Sequence, residues 1–171
     1  DQIHHVLTRH EQGATHAAQG YARISGKVGV AIATSGPGAT NFVTGIADAQ
    51  IDSTPMVCIT GQVGSHLLGS DAFQETDIVG ISTPVTKWNH QITKASEIPE
   101  VFAKAFYIAK SGRPGPVLID ITKDAQFEEF DFSYQKCKGV RSYKPFPTID
   151  SEKVQEAATL INKAKKPMIR G

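Results

Sequence analysis

The sequence has little of several features that would place a protein in a class at once. It contains only two cysteines in 171 residues, Cys58 in an apolar stretch and Cys137 in a polar one. Two cysteines so placed make no disulfide framework and suit a reducing compartment, so we expect a cytoplasmic protein. The 18 basic and 17 acidic residues nearly balance and form no long run of one sign, which argues against a nucleic-acid partner. No stretch approaches the ~20 apolar residues that a membrane helix needs, so we expect no membrane association.

Short apolar runs alternate with segments of helical periodicity along most of the chain. The alternation predicts a parallel sheet with helices on both faces, an α/β fold. The expected strands are residues 28–33, 55–60, 85–89 and 116–121, and the expected helices are 14–22, 42–50 and 98–109. The continuous apolar run 28–33 is typical of a strand covered on both faces. In such folds ligands gather beyond the carboxyl ends of the strands.

The two ends of the sequence suggest that the chain is part of a longer protein. Residues 1–7 resemble a strand already in progress, and residues 167–171 resemble the start of another. We expect one domain over residues 1–124, a connector over 125–150, and the start of a second domain over 151–171. The second domain would begin with a helix capped by Asp150.

Taken singly, the polar motifs have ordinary explanations. Glu11 would interact favourably with a helix dipole whatever its function. His10-Glu11 opens a zinc-protease pattern, but Ala14 stands where the second histidine is required, and no other histidine spacing indicates a metal site.

The run Ser35-Gly36-Pro37-Gly38 is not a phosphate loop, because no Gly-Lys-Ser/Thr follows it. Pro37 also removes a backbone donor that an anion would use. The run is either a tight turn or a close contact with a flat ring. Phe73-Gln74 either anchors a loop or contacts a ligand, and Arg113 and Lys123 taken alone are solvated charges.

The joint pattern is more specific. In order along the chain it comprises residues 9–14 (RHEQGA), 20–23 (GYAR), 34–41 (TSGPGATN), 60–63 (TGQV), 71–75 (DAFQE), 87–89 (KWN) and 111–117 (SGRPGPV). This pattern resembles acetolactate synthase, a family of thiamine diphosphate enzymes, densely over about residues 3–124. The resemblance implies the pyrimidine-binding domain of that family, lacking its first elements.

The resemblance also implies roles for individual residues. Glu11 would be the catalytic carboxyl that hydrogen-bonds the aminopyrimidine ring of thiamine diphosphate. Pro37, Asn41 and Gln74 would also contact this cofactor. The remaining assignments are Phe73 and Lys123 to the substrate pocket and Arg113 to a bound FAD. Burial is expected to raise the pKa of Glu11 toward neutrality, which would help it to exchange a proton with the ring.

The implied reaction condenses two molecules of pyruvate, or pyruvate and 2-ketobutyrate, with loss of carbon dioxide, in branched-chain amino acid biosynthesis. The implied assembly is a homodimer or higher oligomer, with a possible regulatory subunit and a structural FAD. In the superfamily that the resemblance implies, a Gly-Asp-Gly segment followed by an asparagine holds Mg²⁺ and the diphosphate. These 171 residues contain no Gly-Asp-Gly segment, so the Mg²⁺ site would lie outside them.

Two alternatives stay open. One is a related thiamine diphosphate enzyme such as a pyruvate oxidase or a 2-keto acid decarboxylase. The other is a folded fragment without catalysis, and the 171 residues alone are expected to be inactive. The sequence departs from the family at Gly64, where a bulkier or more rigid residue is common, so that loop is expected to be looser.

Overall fold

The computed structural model describes residues 3–168 of the chain. Seven α-helices and four β-strands follow one another in these residues, with short 3₁₀ turns between some of them. The helices are α1 (Glu11–Ser25), α2 (Pro37–Thr40), α3 (Val43–Ile51), α4 (Ile78–Ser82), α5 (Ile98–Lys110), α6 (Lys123–Phe127) and α7 (Ser151–Lys163). The strands are β1 (Gly29–Ala33), β2 (Met56–Gln62), β3 (Trp88–Ile92) and β4 (Pro116–Thr122).

The four strands form one parallel sheet in the order β1-β2-β4-β3. Central strands β2 and β4 pair over their whole lengths, from Met56 opposite Pro116 to Gln62 opposite Thr122. All four carboxyl ends therefore lie at one edge of the sheet, which is the edge where parallel sheets collect ligands.

Alternate side chains of the central strands enter two separate hydrophobic cores. Met56, Cys58 and Leu118 pack with α1 and α3 on one face, together with Phe42 and Ile46. Val57, Val117 and Ile119 pack with α5 on the other face. Helices cover both faces of the sheet, so the predicted α/β class is confirmed.

The boundaries of all four strands differ from the sequence prediction by at least one residue, most of all in β3 and β2. Strand β3 is Trp88–Ile92 rather than residues 85–89, and Val85 belongs to a 3₁₀ turn. Strand β2 continues through Gly61 and Gln62, two residues beyond its predicted end. The expectation that the first strand is covered on both faces is wrong, because Val30 is 44% and Ile32 70% exposed.

The segments beyond the sheet also test the prediction. Residues 3–8 form no strand, while Asp1 and Gln2 and the expected strand residues 169–171 lie outside the described part of the chain. The helix predicted after Asp150 is present as α7, and the Asp150 side chain accepts from the backbone N–H groups of Glu152 and Lys153. Within residues 3–168, no helix has both the length and the apolar character needed to cross a membrane.

Candidate active site

Glu11 is the first residue of α1, at the carboxyl edge of the sheet. The ring of His10 caps the helix by accepting the Gln12 N–H through its Nδ1 atom, at 3.1 Å. Helix α1 is fixed against α3, where Gly45 leaves no room for a side chain because Thr15 occupies that space. Gln19 adds a buried hydrogen bond from its Nε2 to the Gly45 carbonyl, at 2.8 Å. The packing of the two helices thus sets the position of the Glu11 carboxyl.

Asn41 lies at the end of α2 and contacts the same carboxyl. Its Nδ2 donates to Oε2 of Glu11 at 2.9 Å, across 30 residues of sequence. This hydrogen bond is the main reason that the pKa of Glu11 is lowered, with a smaller contribution from the backbone. The expectation of a raised pKa is therefore wrong for the chain as described, because the carboxyl is only partly buried and has a donor beside it.

The glycine-rich turn lies between Glu11 and the Phe73-Gln74 segment. Gly36 has φ 59° and ψ −116°, and a Cβ placed there would lie 2.6 Å from the backbone oxygen of Gln74. A Cβ at Gly38 would lie 2.8 Å from the Thr34 methyl group and 3.4 Å from Oε1 of Glu11. A side chain larger than hydrogen at either position would displace its neighbours, so the turn packs tightly against the backbone of Gln74 and the side chain of Thr34.

The loop that carries Phe73 and Gln74 is held by one carboxylate. Glu75 accepts the backbone N–H groups of Gly69 and of Ala72, and these bonds lower its pKa. Asp71 and Gln74 have φ values of 56° and 60°, in the left-handed region that non-glycine residues rarely occupy. The Phe73 side chain is 88% exposed. The loop therefore presents an aromatic ring outward on a backbone that its own hydrogen bonds constrain.

Lys123 lies at the same edge of the sheet, at the start of α6. Its side chain lines a groove of about 410 Å³ together with Thr34, Ser35 and Gly61. A larger groove of about 840 Å³ lies between α5 and residues 130–142, and it contains none of the predicted site residues. The smaller groove is therefore the one that adjoins the glycine-rich turn.

Arg113 is not part of this group. It lies in the turn before β4, at the amino edge of the sheet, and donates to Ser53 Oγ at 2.8 Å and to the Ile51 carbonyl at 2.9 Å. The structure thus places Glu11, Pro37, Asn41, Gln74 and Lys123 at one edge of the sheet and Arg113 at the other.

Sequence reasoning missed a buried polar cluster at the same carboxyl edge. Asp120 of β4 is fully buried and accepts from Thr60 Oγ1 at 2.7 Å, Gln91 Nε2 at 2.9 Å and Gln62 Nε2 at 3.2 Å. Burial raises the pKa of this carboxyl, while the three donors act in the opposite direction. The only signal in the sequence was an acidic residue inside the apolar run 117–121.

The residues at the edge fit a flat, nitrogen-containing ring. Oε1 of Glu11 accepts no hydrogen bond from another residue in the range 3–168, whereas Oε2 is held by Asn41. Gly38 contributes no side chain of its own beside this carboxyl, and the Thr34 methyl group lies 2.8 Å from where its Cβ would stand. No group of three or more His, Cys, Asp or Glu side chains in the described residues could hold a metal ion. These residues thus offer a hydrogen-bonding carboxyl beside a turn of small residues.

The chain is similar in sequence to thiamine pyrophosphate enzymes and to acetolactate synthases. Residues 1–81 match the family described as thiamine pyrophosphate enzyme, N-terminal TPP binding domain. The chain is 58% identical over 167 residues to the acetolactate synthase large subunit of Corynebacterium glutamicum, covering 98% of this chain and 27% of that protein. It is 51% identical over 168 residues to the acetolactate synthase isozyme 1 large subunit of Escherichia coli strain K12, covering 98% of this chain and 30% of that protein. The chain thus spans less than a third of the length of these relatives.

Proposed function

We infer that this chain belongs to the thiamine pyrophosphate enzymes and resembles acetolactate synthase along nearly its whole length. On this premise, it would bind the aminopyrimidine ring of thiamine diphosphate in an enzyme that forms acetolactate. The observation that supports this proposal best is the Glu11 carboxyl, which Asn41 holds beside the glycine-rich turn. Thiamine diphosphate, when bound, supplies a carbon nucleophile that can attack the keto group of a 2-keto acid.

Glu11 would hold or release a proton at its Oε1 atom, opposite the oxygen that Asn41 occupies. Asn41 would keep the carboxyl oriented and lower the cost of its ionised form. Pro37, at the exposed first position of α2, would lie against the flat face of the ring. Gln74 would contact the cofactor from the loop that packs on Gly36.

The remaining assignments extend to parts of the enzyme beyond this chain. Phe73 and Lys123 would line the pocket for pyruvate and 2-ketobutyrate, since both side chains are exposed. The exposed guanidinium of Arg113 would contact FAD at the amino edge. Mg²⁺ and the diphosphate group would be held by residues outside this chain, and the complete enzyme would be a homodimer or higher oligomer with a possible regulatory subunit.

The test is acetolactate formation from pyruvate by the full-length protein carrying Glu11→Gln. Loss of a positioned acid–base group should lower the rate by ~100- to 10,000-fold. Glu100→Gln is a matched control, because Glu100 is also a glutamate in the first turn of a helix, α5. If the helix dipole alone explained Glu11, the two variants would behave alike.

Product analysis of the wild-type enzyme separates the related activities. Acetolactate supports the proposal, whereas acetyl phosphate or free aldehyde would indicate a pyruvate oxidase or a decarboxylase. The 171 residues alone, given thiamine diphosphate, Mg²⁺ and pyruvate, should show no sustained turnover. Turnover by this chain alone would contradict the assignment of Mg²⁺ to another part of the enzyme.

A further inference from the structure

The side chain of Gln62 connects the centre of the sheet to the loop that carries Gln74. Its Nε2 donates to Asp120 Oδ2 at 3.2 Å and to the backbone carbonyl of Thr76 at 2.8 Å. Its Oε1 accepts the backbone N–H of Val63 at 2.9 Å. Both amide hydrogens and the amide oxygen are therefore used, in a side chain that is only 5% exposed.

Asp120, together with the Thr76 carbonyl and the Val63 N–H, determines which way this amide points. An ionised carboxylate accepts hydrogen bonds and donates none, so only the nitrogen end of Gln62 can face it. The reversed amide would place its oxygen against the carboxylate and against the Thr76 carbonyl, with three acceptors in contact. Thr60 and Gln91 hold the carboxylate itself from the neighbouring strands β2 and β3.

The carbonyl that Gln62 binds lies two residues after Gln74. On its other side, the backbone of Gln74 packs against Gly36 so closely that a side chain there would collide with it. The backbone between residues 74 and 76 is thus fixed at two points, one on the sheet and one on the glycine-rich turn.

We propose that Asp120 and Gln62 are positioning residues. They fix the 69–78 loop, and with it Gln74, at the edge of the sheet that carries the Glu11 carboxyl. The proposal rests on the proposed function for the role of Gln74. The buried Asp120 carboxylate orients the Gln62 amide, and the amide holds Thr76. Neither residue needs to touch the cofactor.

The test compares Gln62→Leu with Gln91→Leu in the full-length protein. Each variant removes one hydrogen bond to the same oxygen of Asp120, but only Gln62 also contacts the loop. Amide hydrogen exchange over residues 69–78, measured without cofactor or substrate, should become about tenfold faster in Gln62→Leu, as expected for the loss of roughly one buried hydrogen bond. It should stay near the wild-type rate in Gln91→Leu. Equal exchange over this loop in the two variants would overturn the proposal.

A second comparison tests the role of Asp120. Asp120→Asn can still present an oxygen to Gln62 and Gln91 while its nitrogen faces Thr60, so loop exchange should remain slow. Asp120→Leu cannot accept, and exchange should accelerate. If Asp120→Leu does not fold, the Gln62 and Gln91 pair still decides the question.

A kinetic readout connects the loop to the site. Gln62→Leu should raise the half-saturating concentration of thiamine diphosphate about tenfold, with a smaller change in kcat, because the loop binds rather than reacts. An unchanged half-saturating concentration would contradict the positioning role. Exchange in the absence of cofactor does not depend on the proposed activity, so a negative result with Glu11→Gln would leave that measurement valid.

Discussion

The backbone of Gln74 occupies the space where a side chain at Gly36 would begin. A Cβ on Gly36 would lie 2.6 Å from the Gln74 carbonyl oxygen and 2.9 Å from its Cα atom. Two segments 38 residues apart in sequence are therefore pressed together at the edge of the sheet. This contact, together with the hydrogen bond from Asn41 to Glu11, brings three separate sequence motifs into one site.

The first prediction follows from this contact. In the full-length protein, Gly36→Ala should raise the half-saturating concentration of thiamine diphosphate and destabilise the protein by ~1–3 kcal/mol. The alanine Cβ would collide with the backbone of Gln74, and alanine would have to adopt the positive φ of 59°. Gly20→Ala is the control, since that exposed helical glycine has open space around it and alanine should stabilise by up to ~1 kcal/mol. Cofactor titration and unfolding midpoints check both. A Gly36→Ala protein with unchanged cofactor affinity would contradict the assigned role of the turn.

The second prediction concerns pH and Glu75. Hydrogen bonds from the Gly69 and Ala72 backbone lower the pKa of this glutamate in the folded protein. Its contribution to stability is therefore fully present above the unfolded-state pKa of about 4.3 and is lost as the pH falls through the lower folded value. Glu75→Gln should lower the thermal midpoint at pH 7, and the difference from wild type should narrow in acid. Glu129→Gln, an exposed change in the connector, should have no such pH-dependent effect.

The third prediction concerns Gly64, where the sequence departs from the family pattern. Its φ of −58° is compatible with proline, and its neighbours are anchored, because Val63 accepts from the Lys123 N–H at 3.3 Å and Ser65 donates to Asp124. Gly64→Pro should therefore stabilise the protein by ~0.4–1 kcal/mol by reducing the freedom of the unfolded chain. The ring of His66 would have to rotate away, since it lies 2.7 Å from a Cβ at this position. A lower unfolding midpoint in this variant would contradict the prediction.

Local patterns in the sequence were sufficient to predict most of the fold. The helical spacing before Gly26 predicted α1, and Gly26 ends it with φ 69° and a hydrogen bond from its N–H to the Ala22 carbonyl. Strand β3 was misplaced because its residues, among them His90 and Gln91, are polar. That strand lies at the edge of the sheet, where pairing with β4 determines its register.

The site was only partly predictable. Glu11, Pro37, Asn41 and Gln74 were proposed from resemblance, and their roles stay predictions. The lowered pKa of Glu11 could not be foreseen, because it depends on a donor 30 residues away in sequence. The Asp120 cluster was missed for the same reason, since its donors come from β2 and β3, which are separated from β4 along the chain.

The central claim is that Glu11 exchanges a proton with thiamine diphosphate. Its most direct test is the rate at which the acidic proton on the thiazolium ring of the bound cofactor exchanges with deuterium in the full-length enzyme. We predict that Glu11→Gln slows this exchange by at least ~100-fold, while Glu100→Gln leaves it at the wild-type rate. Exchange as fast in Glu11→Gln as in wild type would contradict the claim that this carboxyl exchanges a proton with the cofactor.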